Sequence, residues 1–308
     1  MERKVIVIAG PTCSGKTKVA VNLAKKLNTE IISADSRQLY KYLNIGTAKP
    51  TAEELSQIKH HLVNCCLPDE EYNASKFEQD ALQIIDSLHQ ENKIPIVAGG
   101  SGLYIRALVD GIFDAAENDE EYRAELNTKR ERYGNEFLYN ELKKVDPGSA
   151  SKMLPQNWKR VMRALEVFHV TGQPIWKLQN EHERESKLVF YQFGLEWKRE
   201  ILYENINVRV DKMIDEGFVD EVKQILQMGF QKNINSLNTV GYKEIISYLE
   251  NLVSLERAVE LIKRNTRHYA KRQMTWFRKD NRINWISCDS SKSIEDTMSV
   301  IFKKTLGT

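Results

Sequence analysis

The sequence predicts an α/β protein whose parallel sheet is flanked by helices. Three observations favour this fold: short apolar runs with strand character, helical apolar repeats between them, and short links that join the two. Alternation of strand and helix places parallel strands side by side and covers both faces of the sheet with helices. The 308 residues, 41% hydrophobic and 29% charged, fit one large globular domain or two of ordinary size.

The predicted sheet begins close to the N-terminus. Residues 4–9 (KVIVIA) predict a strand, and residues 16–27 predict a helix because their apolar residues recur with helical spacing. Residues 30–34 (EIISA) predict the second strand, and residues 94–98 predict the third. A helix is expected between these last two strands, because a capping-box spacing there makes Ser75 the N-cap.

The chain is expected to divide into three stretches. Residues 1–113 form the first part of the core, residues 114–185 an all-helical insertion, and residues 186–308 the second part of the core with basic C-terminal helices. The insertion is predicted because residues 117–144 carry eight acids and six bases without a strand pattern. After the insertion, strands are predicted at residues 187–195 and 283–287, and helices at about residues 199–213, 219–228, 242–251 and 255–278.

The loop at residues 10–17 (GPTCSGKT) matches the phosphate-binding pattern of a glycine, four residues, Gly-Lys and Thr. It lies between the first predicted strand and the first predicted helix, which is the context that the pattern requires. Backbone N–H groups at such a helix start surround phosphate oxygens, Lys16 adds a positive charge, and the Thr17 hydroxyl can complete a Mg²⁺ shell. We interpret the loop as a phosphate site rather than a structural glycine turn.

The acid that ATP chemistry needs at the end of an apolar strand is missing. The strand at residues 94–98 is followed by Gly99, Gly100 and Ser101. The best-placed acid is Asp35, which follows the second strand, where open α/β sheets carry their ligand crevice. An Asp in that place is alternatively the N-cap of the next helix. The loop is therefore a candidate for phosphates of a molecule other than a nucleotide, and an ATP-dependent small-molecule kinase is the alternative.

Seven motifs in one order carry a resemblance to a known family. They are GPTCSGKT at residues 10–17, DSRQLY at 35–40, IGTAKP at 45–50, GGSGLY at 99–104, KRVMRALEV at 159–167, GYKE at 241–244 and RHYAKRQMTWFR at 267–278. Together they resemble the bacterial tRNA dimethylallyltransferases, also called tRNA isopentenyltransferases, over almost the whole chain. The resemblance implies a core like that of the P-loop nucleotide kinases and a helical insertion that helps to clamp the anticodon arm.

The family resemblance implies a specific reaction. A dimethylallyl group passes from dimethylallyl diphosphate to the exocyclic amine of the adenosine immediately 3′ of the anticodon, in tRNAs that read codons beginning with U. The diphosphate is then the leaving group, which accounts for the missing nucleotidase acid. The implied diphosphate-binding residues are Gly10, Pro11, Thr12, Cys13, Ser14, Gly15, Lys16 and Thr17, with Thr17 as the Mg²⁺ ligand.

The resemblance also implies catalytic and tRNA-binding residues. Asp35 would accept the proton of the amine, Lys16 would stabilise the departing diphosphate, and Ser101 is the third catalytic candidate. Ser101 stands where the family more often has Thr, and the hydroxyl group is retained. The implied tRNA contacts are Asp35, Ser36, Arg37, Gln38, Ser101, Arg123, Lys159, Arg160, Val161, Met162 and Arg163. For the two arginines of the 159–163 segment, the alternative is a solvent-facing position on an amphipathic helix.

A basic stripe near the C-terminus is a second candidate RNA contact. Residues 257–282 contain nine Lys or Arg against two acids, and Arg264, Arg267, Lys271 and Arg278 share a similar helical face. Phosphate contacts supply much of the affinity for nucleic acids. The alternatives are a solvated helix face and a non-catalytic RNA-binding module, which would leave the phosphate loop unexplained.

Composition predicts where the protein works. The 45 Lys and Arg nearly balance the 43 Asp and Glu, so only local clusters of charge inform about partners. The four cysteines have no metal-ligand spacing and indicate reduced thiols. No apolar run approaches the 18 residues of a membrane span. Composition therefore indicates a cytoplasmic protein without a membrane partner. The family resemblance implies that it binds tRNA, dimethylallyl diphosphate and Mg²⁺, and we expect a monomer.

Overall fold

The structure, a computed structural model, describes residues 2–112, 119–181, 187–289 and 294–307. The strands are β1 (Arg3–Ala9), β2 (Ile31–Ser33), β3 (His60–His61), β4 (Ile96–Gly99), β5 (Leu188–Trp197) and β6 (Asn284–Cys288). The helices are α1 (Lys16–Leu27), α2 (Ala52–Gln57), α3 (Ala74–Gln90), α4 (Gly102–Asp110), α5 (Glu120–Tyr133), α6 (Asn135–Val145), α7 (Pro147–Ala150), α8 (Trp158–Thr171), α9 (Ile175–Glu181), α10 (Arg199–Asp215), α11 (Phe218–Gln227), α12 (Tyr242–Leu249), α13 (Leu255–Phe277) and α14 (Ile294–Leu306).

The described strands form one parallel sheet in the order β3-β2-β4-β1-β5-β6. This arrangement confirms the predicted α/β class. Strand β1 lies between β4 and β5, and Ala9 at its end pairs with Gly99 on one side and Gly194 on the other. The carboxyl ends of β1 and β4 therefore lie next to each other, and the loops that follow both strands meet at one edge of the sheet.

Local sequence explains most element boundaries, with one correction. Helix α3 begins after Asn73, whose side-chain oxygen accepts the N–H of Lys76, so Ser75 is not the N-cap. Asn competes well with Ser at this position because its short side chain reaches the same unpaired N–H groups. Strand β3, which was not predicted, is two residues long and contains His60 and His61. Such a strand is too short to show an alternating pattern.

Helices cover the sheet, and its central strands are the most deeply buried: residues 5–9 of β1 and all three residues of β2 are buried. One hydrophobic cluster joins Ile6 and Ile8 of β1 to Leu23 of α1, Phe193 of β5 and Ile301 of α14. Helix α14 thus packs on the same cluster as α1. This packing holds the start of α1, and with it the phosphate loop, at a defined place above the sheet.

The chain separates into two compact units. One contains Met1–Val109 and Ser186–Thr308, and the other contains Asp110–Glu185. The expected domain limits, at residues 113/114 and 185/186, lie outside the described residues. The second unit has its own core, built from Leu126, Leu138, Leu142, Val161 and Leu165.

The 23-residue helix α13 is amphipathic. Ser254 caps its N-terminus by accepting the N–H of Arg257, and its buried side is lined by Ala258, Ile262, Thr266, Ala270, Gln273 and Phe277. Its other side carries most of the basic stripe. Within the described residues, no helix combines the length and the apolar character that crossing a membrane requires.

Replacing Gly99 by Ala is expected to destabilise the sheet at the site. A Cβ atom at this position would overlap the backbone carbonyl of Ala34, which a side-chain rotation cannot relieve. We expect a loss of about 1–3 kcal/mol in the free energy of unfolding, measured by urea denaturation. Asn92→Gly is the control, because Asn92 has a φ of 58° that glycine adopts without strain, and its stability should stay within about 0.5 kcal/mol. Equal stability of both variants would contradict the proposed close approach.

Candidate active site

A cavity of about 420 Å³ lies at the carboxyl ends of β1 and β4. It is lined by residues 12–17 of the phosphate loop, Lys18, residues 35–38 and the Gly99 and Gly100 backbone, together with side chains from α10 and α13. Ligands of open α/β sheets bind at this edge, where helix starts and loop N–H groups converge. The predicted phosphate loop and Asp35 are thus brought into one cavity.

The phosphate loop presents the unpaired start of a helix to this cavity. Helix α1 begins at Lys16 with Gly15 as its N-cap, and no side chain caps it. Gly15 has a φ of 85°, a left-handed conformation that glycine adopts without penalty. The indole N–H of Trp197 donates to the carbonyl of Ser14 at 3.0 Å and fixes the loop from the side of β5. The first N–H groups of α1 therefore remain available to an anion.

Lys16 is held inside the loop. Its Nζ donates to the Pro11 carbonyl at 2.6 Å and lies 3.5 Å from Ser14 Oγ. Burial lowers the pKa of Lys16 to about 8, while the negative charge of Asp35 acts in the opposite direction. A diphosphate in the loop would supply the negative charge that a desolvated ammonium lacks, so the site favours an anionic ligand.

Asp35 does not cap a helix. Its Oδ1 accepts the N–H of Arg37 at 2.8 Å and that of Gln38 at 3.3 Å, which closes a tight turn after β2. This interaction fixes the direction of the carboxylate, and its Oδ2 has no hydrogen-bond partner in the described part of the chain. The alternative role as N-cap is wrong, and the carboxylate lines the cavity beside Lys16.

Ser101 connects the loop after β4 to the loop after β2. Its Oγ accepts the N–H of Ser36 at 2.9 Å, and its own N–H donates to the Ala34 carbonyl at 3.1 Å. The hydroxyl is placed next to the segment that carries Asp35. These contacts make Ser101 a support for that segment, and its predicted catalytic role stays a prediction.

Arg37 and Gln38 of the 35–38 turn also form hydrogen bonds with other parts of the protein. The Gln38 amide accepts from Ser33 Oγ at 3.2 Å and donates to the Ala48 carbonyl at 3.0 Å. Arg37 donates to the Asn235 carbonyl at 2.9 Å. The turn is therefore a rigid part of the cavity wall, whose outward surface is formed by partly exposed side chains.

Comparison with known proteins gives the family. The IPP transferase family matches residues 38–280. The tRNA dimethylallyltransferase of Alkaliphilus oremlandii is 44% identical over 100% of this chain and 98% of its own length, and that of Acetivibrio thermocellus is 48% identical over 94% of both. The chain belongs to the IPP transferase family.

Solved structures agree with this assignment. A tRNA isopentenylpyrophosphate transferase from Bacillus halodurans superposes with a TM-score of 0.72 at 39% identity, covering 98% of this chain and 97% of its own. A eukaryotic dimethylallyltransferase acting on tRNA gives a TM-score of 0.81 at 30% identity, over 99% of this chain and 76% of its own. The resemblance inferred from the seven motifs is confirmed, and this IPP transferase is an enzyme that modifies tRNA.

Arg209 is a residue of the IPP transferase cavity that sequence reasoning missed. It lies on α10, lines the cavity, and its positive charge contributes to the lowered pKa of Lys16. Its Nε is buried without a hydrogen-bond partner in the described part of the chain. A buried guanidinium N–H is costly unless an acceptor occupies the site. Arg209 belongs to no motif, and in the sequence it is indistinguishable from the other polar residues of an amphipathic helix.

Thr17 remains the candidate Mg²⁺ ligand of this transferase. Its side chain lines the cavity and makes no hydrogen bond to another described residue. Among the described residues there is no cluster of three or more His, Cys, Asp or Glu that could hold a metal. Mg²⁺ commonly takes only one or two protein oxygens and completes its shell with substrate phosphates and water. The site therefore fits Mg²⁺ bound together with a diphosphate and does not fit a metal held by protein alone.

The insertion carries the other predicted tRNA contacts, and the structure shows which of their side chains are exposed. Lys159 and Arg160 are exposed at the start of α8. The side chains of Val161 and Met162 are buried in the core of the insertion, so they are unavailable as side-chain contacts. They were implied because the motif is contiguous, whereas a helix turns successive residues to different faces. Arg163, which lies one turn beyond Lys159, is partly exposed.

Glu166 of this IPP transferase holds two of the predicted tRNA contacts. Its carboxylate is 3% exposed and lies 3.2 Å from Nε of Arg123 and 3.5 Å from a terminal nitrogen of Arg163. Arg123 comes from α5, whereas Arg163 and Glu166 come from α8. One buried carboxylate therefore orients two arginines from different helices, and both guanidinium groups keep an exposed part.

The lowered pKa of Lys16 predicts a pH-dependent affinity for diphosphate. Lys16 is protonated below pH 8 and loses its charge as the pH rises through about 8. The affinity for inorganic pyrophosphate, measured by calorimetry, should then fall by about tenfold per pH unit above that value. Lys16→Met is the control. It should bind pyrophosphate more weakly than the parent, and its affinity should lack the pH dependence that arises from Lys16. Identical pH profiles for both proteins would place the anion away from Lys16.

Replacing Glu166 by Gln is expected to weaken tRNA binding. Loss of the buried charge releases both arginines, so the affinity for an anticodon stem-loop should fall about tenfold, the equivalent of about 1.4 kcal/mol. The affinity for dimethylallyl diphosphate should not change. The control is Glu125→Gln, which removes an exposed partner of Lys129 on the same unit and should have almost no effect. If the folded Glu166→Gln protein binds RNA with unchanged affinity, the contacts of Glu166 with Arg123 and Arg163 have only a structural role.

Proposed function

We propose that the cavity binds dimethylallyl diphosphate and that this chain transfers the dimethylallyl group to the exocyclic amine of the adenosine 3′ of the anticodon. The acceptor tRNAs are those that read codons beginning with U, and the products are N6-dimethylallyladenosine and diphosphate. The names of the relatives support the reaction type and the RNA substrate. The geometry of the cavity supports the assignment of individual residues.

One observation carries the proposal: a phosphate loop and a carboxylate share a cavity that also has an apolar wall. Lys16 and Arg209 provide positive charge on one side, and Asp35 lies nearby. The apolar wall is formed by Val210, Met213, Phe218 and Ile262. A prenyl diphosphate needs both surfaces, because its head is a dianion or trianion and its tail is a branched hydrocarbon.

The residues fit a direct substitution. The N6 lone pair of adenine forms a bond to C1 of the dimethylallyl group, while the C1–O bond breaks and its electron pair leaves with the diphosphate. Asp35 accepts the proton that N6 loses. Lys16, Arg209 and the N-terminus of α1 stabilise the negative charge that develops on the leaving group. Because an adenine inside a helical stack cannot reach the cavity, the target base is expected to leave the stack.

Mg²⁺ is part of the proposal. The Thr17 hydroxyl would hold it together with the diphosphate, and the metal would neutralise charge on the leaving group. Asp35 is better suited to accept a proton than to bind the metal directly, because one of its oxygens already closes the turn with Arg37 and Gln38.

We expect a single chain to be sufficient for activity. The phosphate loop, Asp35 and the apolar wall all come from one chain, so no second copy is needed to complete the cavity. The four cysteines are free thiols in the structure, and the reducing cytoplasm keeps thiols in this state. A cytoplasmic monomer acting on tRNA is consistent with both features.

The deciding experiment is a transfer assay. The protein is incubated with Mg²⁺, labelled dimethylallyl diphosphate and an anticodon stem-loop whose anticodon is followed by adenosines, and the RNA is then digested to nucleosides. We expect label in N6-dimethylallyladenosine and none in a stem-loop with guanosine at that position. A parallel incubation with ATP should give no ADP. Absence of prenylated nucleoside at every Mg²⁺ concentration would overturn the proposal, and ADP formation would favour the kinase alternative.

Asp35→Asn separates binding from chemistry. Asn keeps the size of the side chain and an oxygen that can accept the turn N–H groups, but it cannot take up a proton. We expect turnover to fall by about a hundredfold to ten-thousandfold, with affinities for tRNA and donor within a few fold of the parent. Single-turnover kinetics at neutral pH measures the loss. A rate within about threefold of the parent, well short of a general-base effect, would leave Asp35 as a structural turn residue.

A further inference from the structure

Gln273 is a buried polar side chain that the proposed chemistry does not use. It lies near the C-terminal end of α13, is 6% exposed, and belongs to the buried side of the helix. The residues around it on that side are Ala270 and Phe277, which are apolar. A buried amide is costly unless its donor and acceptor are both satisfied, so its partners indicate why it is there.

The Gln273 amide connects two loops of the cavity. Its Oε1 accepts the N–H of Thr12 at 2.8 Å, and its Nε2 donates to the carbonyl of Gly100 at 2.9 Å. Thr12 belongs to the phosphate loop after β1, and Gly100 follows β4. A side-chain amide offers one acceptor and one donor at this spacing, and the two partners determine which atom is oxygen and which is nitrogen.

The loop after β4 is shaped to receive α13. A Cβ atom at Gly100 would overlap Gln273 Nε2, and one at Gly102 would overlap the indole ring of Trp276. The glycines of the GGSG segment therefore admit the two side chains of the helix. Between these glycines lies Ser101, whose hydroxyl supports Ser36 in the Asp35 turn.

We infer that Gln273 is a positioning residue that fixes the phosphate loop relative to the Ser101 and Asp35 segment. The inference rests on the proposed function, because the two loops would hold the leaving diphosphate and the attacking base. In-line transfer requires these groups at a fixed separation, and small displacements cost large factors in rate. Through the same side chain, α13, whose other face is basic, is joined directly to the donor site.

The Gln273→Glu variant distinguishes a positioning role of this residue from a purely structural one. A protonated carboxyl group has one acceptor and one donor and can replace the amide, whereas the ionised group has no donor and faces the Gly100 carbonyl. Ionisation should therefore remove the bridge. The ratio of variant to parent kcat/KM should fall as the pH rises, from within about threefold of parent at pH 6 to a loss of ~5-fold to ~150-fold at pH 8.5.

Other titrating groups must be separated from this effect. The charged and titratable residues that line the cavity with Gln273 are Cys13, Lys16, Lys18, Asp35, Arg37, Glu54, Arg209 and Tyr269. All of them are present in the parent as well, so the ratio of variant to parent removes their direct contribution. Gln224→Glu, which adds the same charge at an exposed position on α11, is the control and should give a ratio near one at every pH.

Gly100→Ala tests the same bridge without a new charge. The added methyl group displaces the amide, so this variant should lose activity by a similar factor, independently of pH. Combined with Gln273→Met, it should cause little additional loss, because both changes remove one bridge. Circular dichroism and thermal unfolding at each pH verify that the variants are folded.

The affinity for inorganic pyrophosphate tests the inference independently of prenyl transfer to RNA. For Gln273→Glu it should also weaken at high pH relative to the parent. If the parent binds pyrophosphate but transfers no prenyl group, the proposed function fails, and the pyrophosphate ratio still tests the bridge. A variant-to-parent ratio that does not depend on pH, in transfer and in pyrophosphate binding, would overturn the role of Gln273. Additive losses in the double variant would do the same.

Discussion

The parallel pairing of β1 with β4 is the constraint on which the site depends. It places Ala9 opposite Gly99, so the phosphate loop and the Gly100–Ser101 segment start from adjacent points of one sheet edge. Gly99 allows Ala34 to approach closely, and this approach brings the turn of Asp35 to the same edge. A phosphate-binding helix start and a carboxylate therefore share one cavity without either being held by a flexible loop.

Charge in the cavity is arranged around an anion that the chain itself does not supply. Lys16 is desolvated enough that its pKa falls to about 8, Arg209 leaves a buried N–H without a partner in the described chain, and the start of α1 has no side-chain cap. Each feature costs free energy unless an anion is bound. The diphosphate proposed for this cavity would relieve all three at once, so the features that are unfavourable in the free protein would favour this ligand.

Two buried side chains connect elements for which we propose contacts with the RNA and the donor. Glu166 orients arginines from α5 and α8 within the insertion, and Gln273 joins α13 to the loops of the core. Gln273 satisfies both ends of its amide in the interior, whereas the buried Glu166 carboxylate is paired with two partly exposed arginines. Each unit thus uses one buried polar side chain to connect two of its elements.

The sequence by itself determined the parallel sheet, the phosphate loop and the family. These depend on local patterns: apolar runs, helical spacing and motifs of consecutive residues such as GPTCSGKT. Only the tertiary structure decided that Asp35 closes a turn, that Val161 and Met162 are buried, and that Arg209 and Gln273 belong to the cavity. Arg209 lies far along the chain from the phosphate loop and outside all seven motifs, and it reaches the site because α10 lines the same cavity. Contacts between residues far apart in the chain follow from packing, and a single sequence carries no local signal for them.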